Sequence, residues 1–227
     1  MLDEVALLLN NKELKPRTIL CVNAHIYNIA YSDVVLRQIF NAARIVAADG
    51  MSIVWASRLF RARMAERCNM TEAFCAFLQN KSIPKNVGVL VGLTEEEVKV
   101  AANNIEKVSA HCCIKKVVSG YLRDADYKQI FASLGDIDFI FIGMGTPKSE
   151  QISKIASTSC PQAIVWHIGG GTIKIIAGNM KEAPLIFRRT GLQWLHRLYR
   201  DPLVLWRRYL IGNPLFLYRI FKASMQI

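Results

Sequence analysis

Short apolar runs alternate with longer segments of helical periodicity over the first 180 residues of the chain. The runs predict strands at 18–22, 44–48, 86–91, 114–118, 138–142 and 163–168. The longer segments predict helices at 29–43, 51–63, 71–79, 126–134 and from Thr94 onward. Strands that alternate with helices are typical of βαβ units. We therefore expect an α/β fold, a Rossmann-like and mostly parallel sheet with helices on both faces.

The pattern changes after Gly178. Pro184, Pro202 and Pro214 there separate three short amphipathic segments, at 185–199, 202–211 and 214–224. Each has the spacing of a helix with one apolar face. The sequence thus predicts two domains, an α/β core at 1–180 and a basic amphipathic appendage at 181–227.

Composition narrows the class of protein. The chain has 227 residues, of which 52% are hydrophobic, and this fraction excludes a disordered protein. No apolar stretch approaches the roughly 20 residues of a membrane-spanning helix. The start of the chain carries Asp3 and Glu4 and lacks the layout of a signal peptide, which favours a cytoplasmic location.

Positive charge is concentrated near the C-terminus. The net charge is +11, and +7 of it lies in residues 181–227 together with eight of the 21 aromatic residues. This combination predicts an anionic partner, and nucleic acid, a phosphate-rich ligand and an anionic membrane surface all qualify. The six cysteines form no CxxC pair, so neither a metal site nor a disulfide framework is indicated.

Glycine is frequent where the predicted strands end, which is where parallel sheets bind ligands. The clearest example is the segment Gly143-Met-Gly-Thr-Pro-Lys148, which follows a buried strand. Thr146 is expected to cap the next helix, Pro147 to take its first position and Lys148 to add a cation. The segment fits a diphosphate cradle at a helix N-terminus, and it equally fits an ordinary strand–turn–helix corner.

Asp49 also follows a predicted strand and precedes a glycine. An Asp-Gly pair is most often a turn, whereas a partly buried carboxylate at a strand end suits a general base. Position alone favours the turn.

Two D-x-D triplets, at 124–126 and 136–138, do not end buried strands, and we interpret both as caps or turns. His25, His111 and His196 are too scattered to predict a catalytic or metal site, and His167 is expected to be a core residue.

Several motifs taken in order resemble the WecG/TagA/CpsF family of bacterial glycosyltransferases. They are CVNAH at 21–25, AADG at 47–50, VGL at 91–93, SGY at 119–121, GMGTPKSEQ at 143–151, GGGTIKIIAG at 169–178 and KEAPLIFRRTGLQWLHRLYRDP at 181–202, continued by LWRRYL at 205–210. The resemblance extends from about Thr18 to Leu210, and the last block is its most specific part.

The resemblance implies an inverting enzyme that needs neither a metal nor a cofactor. It would transfer a sugar from a UDP-sugar to a polyprenyl-diphosphate-linked saccharide in the synthesis of teichoic acid, common antigen or exopolysaccharide. It would work in the cytoplasm, peripherally on the inner face of the cell membrane, with no nucleic-acid partner. Assembly into a homo-oligomer is left open.

Site residues follow from the same resemblance and from the strand ends. Asp49 matches the family's proposed catalytic base. The expected substrate-binding residues are Cys21, Asn23, Gly92, Tyr121, Gly143, Gly145, Pro147, Lys148, Ser149, Glu150, Gly170 and Lys174. The expected diphosphate- and membrane-contacting residues are Arg188, Arg189, Arg197, Arg200, Arg207 and Arg208.

The sequence departs from the family pattern near the expected sugar pocket. Cys21 replaces Thr, Ser149 replaces Gln, Met70 and Glu72 replace Gly and Asp, and Lys174 replaces the Asp of mannosaminyltransferases. These departures leave the identity of the donor sugar open. A hexuronic acid and a plain hexose are candidates in addition to N-acetylmannosamine.

Two other classes of protein also stay open. A dinucleotide-binding oxidoreductase shares the predicted core but needs a G-x-G-x-x-G motif after its first strand, which this chain lacks. A nucleic-acid-binding protein without transferase activity would explain the positive charge. Such a protein is expected to carry its charge in a groove on a folded domain, whereas here the charge is concentrated on the proline-separated amphipathic segments.

Overall fold

A computed structural model describes residues 1–60, 64 and 67–225 of the chain. Its strands are β1 (Thr18–Val22), β2 (Ile45–Ala48), β3 (Asn86–Gly92), β4 (Cys112–Val118), β5 (Phe139–Gly143) and β6 (Ile164–His167). They form one parallel six-stranded sheet in the order β2-β1-β6-β5-β3-β4. The α/β fold and all six strand positions are confirmed.

Helices connect the strands and make up most of the C-terminal segment. They are α1 (Leu2–Asn10), α2 (Ala24–Ser32), α3 (Val34–Asn41), α4 (Met51–Ser57), α5 (Met70–Gln79), α6 (Glu95–Val108), α7 (Asp124–Ala132), α8 (Lys148–Ser159), α9 (Gly170–Ile176), α10 (Leu185–Arg189), α11 (Gln193–Arg200), α12 (Pro202–Trp206) and α13 (Gly212–Ser224). A π-helical turn, Arg207–Ile211, joins α12 to α13. The helical C-terminal segment is confirmed.

The single helix predicted at 29–43 is wrong. The chain forms α2 and α3 there, because Asp33 has extended backbone angles and its Oδ1 accepts a hydrogen bond from the Leu36 N–H at 2.9 Å. A short carboxylate side chain that binds a nearby N–H favours a new helix start over helix continuation. The helix predicted at 51–63 ends at Ser57 in the structure, and residues 61–63 lie outside the described residues.

Two boundaries near the C-terminus also differ from prediction. Gly191, with φ of +76°, separates α10 from α11, so the predicted helix 185–199 is two helices. Pro214 does not interrupt the helical conformation, which continues from Pro202 to Ser224. Pro214 lies in the first turn of α13, directly after the π-helical turn, where a proline is tolerated.

The chain divides into two compact units. The first, unit 1, comprises Met1–Cys21, Gln38–Val46 and Met70–Met180. The second, unit 2, comprises Val22–Arg37, Ala47–Asn69 and Lys181–Ile227. Each unit has its own buried core.

The core of unit 1 lies on both faces of its strands. β5 alternates Phe139 and Phe141 with Ile140 and Ile142, and all four side chains are completely buried. On one face the Phe141 ring centroid lies 5.0 Å from that of Phe74 on α5. On the other face the isoleucines belong to a hydrophobic cluster with residues of α7 and α8. Buried residues on both faces explain the continuous apolar strands in the sequence.

The core of unit 2 is smaller. Phe216 and Ile220 on α13 pack against Ala24 and Tyr27 of α2, with the Phe216 and Tyr27 rings 5.2 Å apart and nearly perpendicular. The Arg219 guanidinium donates to the Asn28 carbonyl at 2.7 Å. Part of the positive charge of the C-terminal segment thus serves the packing of α13 on α2.

Candidate functional site

Glycines at the ends of β3 and β5 in unit 1 allow backbones to approach each other very closely. A Cβ on Gly92 would lie 2.2 Å from the Gly143 carbonyl oxygen, and a Cβ on Gly143 would lie 2.3 Å from Ile173 Cδ1. Gly145, by contrast, has open space around its Cα. The strand-end glycines therefore have two roles, since close packing requires Gly92 and Gly143 whereas Gly145 leaves its backbone accessible.

The Gly143–Lys148 loop is held by side chains of α8. The Ser149 hydroxyl accepts a hydrogen bond from the Met144 N–H at 3.2 Å. Thr146 does not cap the helix as expected, because its hydroxyl donates to Glu150 Oε1 at 2.8 Å. Pro147 precedes the helix, which begins at Lys148, so its predicted position is wrong by one residue.

The Lys148 ammonium has two neighbours within unit 1. It donates to the Leu122 carbonyl at 2.9 Å and lies 5.5 Å from the centre of the Tyr127 ring. Both contacts hold the start of α8 against the β4–α7 connection. A role for Lys148 at a nucleotide stays a prediction.

A buried polar cluster lies at the start of α8 and the end of β6. Glu150 is completely buried, and its Oε1 lies 3.8 Å from His167 Nδ1. Cys21 Sγ lies 3.8 Å from the same nitrogen. His167 is thus a buried residue, as expected from the sequence, and both Cys21 and Glu150 are its neighbours. That Cys21, Ser149 and Glu150 contact a substrate stays a prediction.

The other expected substrate contacts of unit 1 lie at strand ends. Tyr121 follows β4 and is 74% exposed, while Lys174 is an exposed residue of α9. Gly170 begins α9 directly after β6, and a Cβ there would lie 3.4 Å from the Gly143 carbonyl oxygen. The loops after β5 and β6 are therefore in direct contact.

A cavity of about 250 Å³ lies within unit 2. Its lining is contributed by three parts of the chain that are distant in sequence. The residues that line it are Asn23, Ala24, His25, Asp49, Gly50, Met51, Ser52, Trp55, Arg67, Gly191, Gln193, Trp194, Arg197, Arg208, Tyr209, Asn213, Phe216 and Leu217. Carboxylate, guanidinium, amide and aromatic groups thus share one small concave site, which is typical of a ligand pocket.

Asn23 and Asp49 enter the cavity from the ends of two strands. Asn23 caps α2, and its Oδ1 accepts hydrogen bonds from the N–H groups of His25 and Ile26, both at 3.1 Å. The Asp49 N–H donates to the Val22 carbonyl at 2.9 Å, and the side chain is half-buried. The structure therefore brings the predicted base and the predicted asparagine into the same cavity.

Three arginines line the cavity with Asp49. Arg67 donates to the Arg188 carbonyl at 2.7 Å and to the Gln193 side-chain oxygen at 3.2 Å. Arg208 has its Nε buried, and no described residue accepts a hydrogen bond from that atom. A buried guanidinium N–H without an acceptor is costly, and an anionic ligand would supply the acceptor. Arg197 lines the cavity beside them.

The other arginines predicted to bind a diphosphate or a membrane do not line this cavity. Arg188 forms an ion pair with Glu182 at 3.0 Å, and Arg200 donates to the Lys181 carbonyl at 3.3 Å. Arg207 is exposed, with its guanidinium 5.2 Å from the centre of the Trp206 ring. The side chain of Arg189 lies outside the described part of the structure.

Several cavity residues escaped the sequence reasoning. His25 stands in the CVNAH motif directly after a strand, where ligands bind, but histidines so scattered in the sequence do not by themselves predict a site. Burial, assisted by the positive charge of Arg208, lowers the pKa of His25 to about 4. Arg67 lies between α4 and α5, outside the helices and strands, so no periodicity marks it. The position of His25 directly after a strand end was the available signal.

The D-x-D triplets serve local structure, as expected. Asp124 begins α7, where Asp126 pairs with Arg123 at 3.0 Å. Asp138 precedes β5 and accepts a hydrogen bond from the Val87 N–H at 2.9 Å. Within the described ranges, no three His, Cys, Asp or Glu side chains lie close enough together to hold a metal ion.

Apolar side chains are exposed along the C-terminal segment of unit 2. Leu203 and Val204 on α12 are 90% and 79% exposed, and Tyr199 on α11 is 86% exposed. No helix among the described residues has both the length and the apolar character needed to cross a membrane.

Comparison with known proteins identifies the family. The model of the glycosyl transferase WecG/TagA/CpsF family matches residues 1–227. Among similar proteins are the N-acetylglucosaminyldiphosphoundecaprenol N-acetyl-beta-D-mannosaminyltransferases of Staphylococcus aureus strains MW2, NCTC 8325 / PS 47 and MRSA252. Each is 27% identical to this chain over 232 residues, which cover 100% of this chain and 88% of the relative. The chain therefore belongs to the glycosyl transferase WecG/TagA/CpsF family.

Proposed function

We propose that this glycosyltransferase moves a sugar from a UDP-sugar to a polyprenyl-diphosphate-linked saccharide, and that Asp49 is the general base. The observation that carries the proposal is the cavity of unit 2, where the Asp49 carboxylate shares the lining with three arginines. The activity for which the relatives are named supports the acceptor, because they act on a diphosphoundecaprenol-linked N-acetylglucosamine.

The chemistry needs two kinds of group. As the acceptor hydroxyl oxygen attacks the anomeric carbon, a carboxylate must take its proton while the bond from that carbon to the UDP oxygen breaks. Attack opposite the leaving group inverts the configuration. The diphosphate of a lipid-linked substrate also needs cations, and Arg67, Arg197 and Arg208 supply them in the cavity. We assign the acceptor diphosphate to these arginines.

The donor nucleotide is assigned to unit 1. Gly145 has open space around its Cα, and its loop leads into α8, a helix of 12 residues. Accessible backbone N–H groups before a helix suit a diphosphate. The assignment of UDP to the Gly143–Lys148 loop rests on this geometry and on the family resemblance.

The C-terminal segment is proposed to dock on the inner face of the cell membrane, since the lipid part of the acceptor lies in a bilayer. Leu203, Val204 and Tyr199 are exposed, and Arg200 and Arg207 are exposed beside them. Apolar side chains that insert at the headgroup level, with basic residues near anionic phosphates, are typical of interfacial helices.

The test is UDP release from a panel of UDP-sugars, including a mannosamine, a hexose and a hexuronic acid, with undecaprenyl-diphosphate N-acetylglucosamine as acceptor. Loss of a general base typically costs about 10²–10⁴ in rate. Asp49→Asn is thus expected to lower kcat by that factor while the circular dichroism spectrum and the binding of UDP stay unchanged.

Asp201→Asn is the matched control, because Asp201 belongs to the same unit and does not line the cavity. It is expected to retain wild-type turnover. Near-wild-type turnover in Asp49→Asn would remove Asp49 from the mechanism, and a wild-type chain that releases no UDP from any donor would overturn the reaction itself.

A further inference from the structure

The cavity lining offers a hydrogen-bond donor that no described residue uses. Asn23 Oδ1 accepts from two backbone N–H groups, so the other side-chain atom must be the amide nitrogen. Within the described residues, that nitrogen has no hydrogen-bond acceptor. The Asn23 amide is therefore fixed in orientation by its capping role and keeps both N–H groups for a ligand.

His25 lies two residues further along and lines the same cavity. Its ring is half-buried, and no described residue forms a hydrogen bond with either ring nitrogen. The charged and titratable groups that share the cavity lining are Asp49, Arg67, Arg197, Arg208 and Tyr209. Because its pKa is lowered to about 4, mainly by burial, the ring is neutral near pH 7 and has one donor and one acceptor nitrogen.

We propose that Asn23 and His25 together bind one hydroxyl group of a sugar held in the cavity. The Asn23 amide donates to the hydroxyl oxygen, and the hydroxyl donates to the unprotonated ring nitrogen of His25. This inference rests on the proposed function and assigns His25 as a specificity-determining residue of the same site.

The pairing of donor and acceptor selects the ligand group. A hydroxyl both donates and accepts, so it satisfies both residues at once. A phosphate oxygen only accepts and would leave the acceptor nitrogen of His25 unpaired, whereas the three arginines of the cavity offer only donors. The cavity lining thus combines groups that suit a hydroxyl with groups that suit a phosphate, as a sugar diphosphate requires.

The experiment measures KM for donor and acceptor separately in His25→Leu and in His25→Gln. The leucine removes the acceptor nitrogen, whereas glutamine keeps a neutral acceptor oxygen. In His25→Leu we expect KM for one substrate to rise about 10-fold while kcat stays within about threefold of wild type. In His25→Gln we expect that KM to return most of the way to the wild-type value. The substrate whose KM rises tells whether the hydroxyl belongs to the acceptor sugar or to the donor sugar.

His196→Leu is the matched control, since His196 packs against Phe187 in the same unit and does not line the cavity. Unchanged KM values in His25→Leu, or a glutamine variant as impaired as the leucine variant, would overturn the proposal. If His25→Leu does not fold, His25→Phe replaces it, because its ring fills similar space without a hydrogen bond.

Binding without turnover separates this inference from the proposed function. Trp55 and Trp194 line the cavity, so quenching of their fluorescence by a short-chain prenyl-diphosphate N-acetylglucosamine or by UDP-sugars gives a Kd directly. A wild-type chain that releases no UDP contradicts the proposed function. The Kd ratio between His25→Leu and wild type decides the role of His25 in either case, and a ratio near one for every ligand contradicts it.

Discussion

Arg207 and Arg208 are adjacent in the sequence but lie in opposite surroundings. Arg207 is exposed and stacks on Trp206, on the part of the C-terminal segment where Leu203 and Val204 are also exposed. Arg208 lines the cavity with its Nε buried. One segment therefore presents two surfaces, an inner wall with Arg197 and Arg208 and an outer face with Arg207 and exposed apolar residues.

The contrast shows that the charge of the segment has several uses. Arg188 and Arg219 stabilise unit 2 through an ion pair and a hydrogen bond, whereas Arg208 lines the cavity. The number of basic residues predicts only that the segment attracts anions in general. The surroundings of each guanidinium decide whether it serves folding, a ligand or a surface.

The largest expected effect comes from the inner wall. In Arg208→Gln we expect kcat/KM for the lipid-linked acceptor to fall about 10²-fold, mainly through KM, because a charge-assisted contact with the acceptor diphosphate is lost from a partly buried site. Binding to anionic liposomes is expected to stay within about twofold of wild type. A variant that loses liposome binding and keeps its activity would reverse the assignment of the two surfaces.

The next effect concerns the outer face. The double variant Leu203→Ser with Val204→Ser is expected to weaken binding to anionic liposomes in flotation about 30-fold, since each side chain gains roughly 1 kcal/mol on partial burial at an interface. Both side chains are exposed, so the thermal unfolding midpoint is expected to stay within about 2 °C. Unchanged flotation would place the membrane contact elsewhere.

The smallest effect is expected for Arg207→Gln. One basic residue near an anionic surface contributes about 1 kcal/mol, so liposome affinity at low salt is expected to fall about fivefold. The difference from wild type is expected to vanish at ~0.5 M salt because screening removes the electrostatic attraction. Turnover of a water-soluble acceptor is expected to stay at the wild-type level, and a loss there would assign Arg207 to the cavity chemistry.

Much of the fold follows from local sequence signals. The strand Phe139–Gly143 is apolar on both faces because Phe74 covers one face and the hydrophobic cluster with residues of α7 and α8 covers the other. Such a strand is apparent from composition alone. Periodicity predicts a single helix at 29–43 in place of α2 and α3, because it does not register the local hydrogen bond to Asp33 that accompanies the break.

The site was predictable only in part. Asn23 and Asp49 follow strands, and ligands of parallel sheets bind at strand ends, so position marked both. The division of the arginines was not predictable, because a π-helical turn at Arg207–Ile211 shifts the side chains away from the 3.6-residue repeat. Tertiary structure determines which arginine faces the cavity, and the hydrophobic periodicity of the sequence does not report it.

Gly143 and Ile173 constrain how this family member can evolve. A Cβ at residue 143 would lie 2.3 Å from the Ile173 side chain, so a larger residue at 143 is not tolerated while Ile173 is kept. Change at 143 requires a smaller side chain at 173 first, and that intermediate would carry a void in a completely buried place. The two positions are thus expected to covary among descendants of this sequence, and the order of the two mutations is set by sterics.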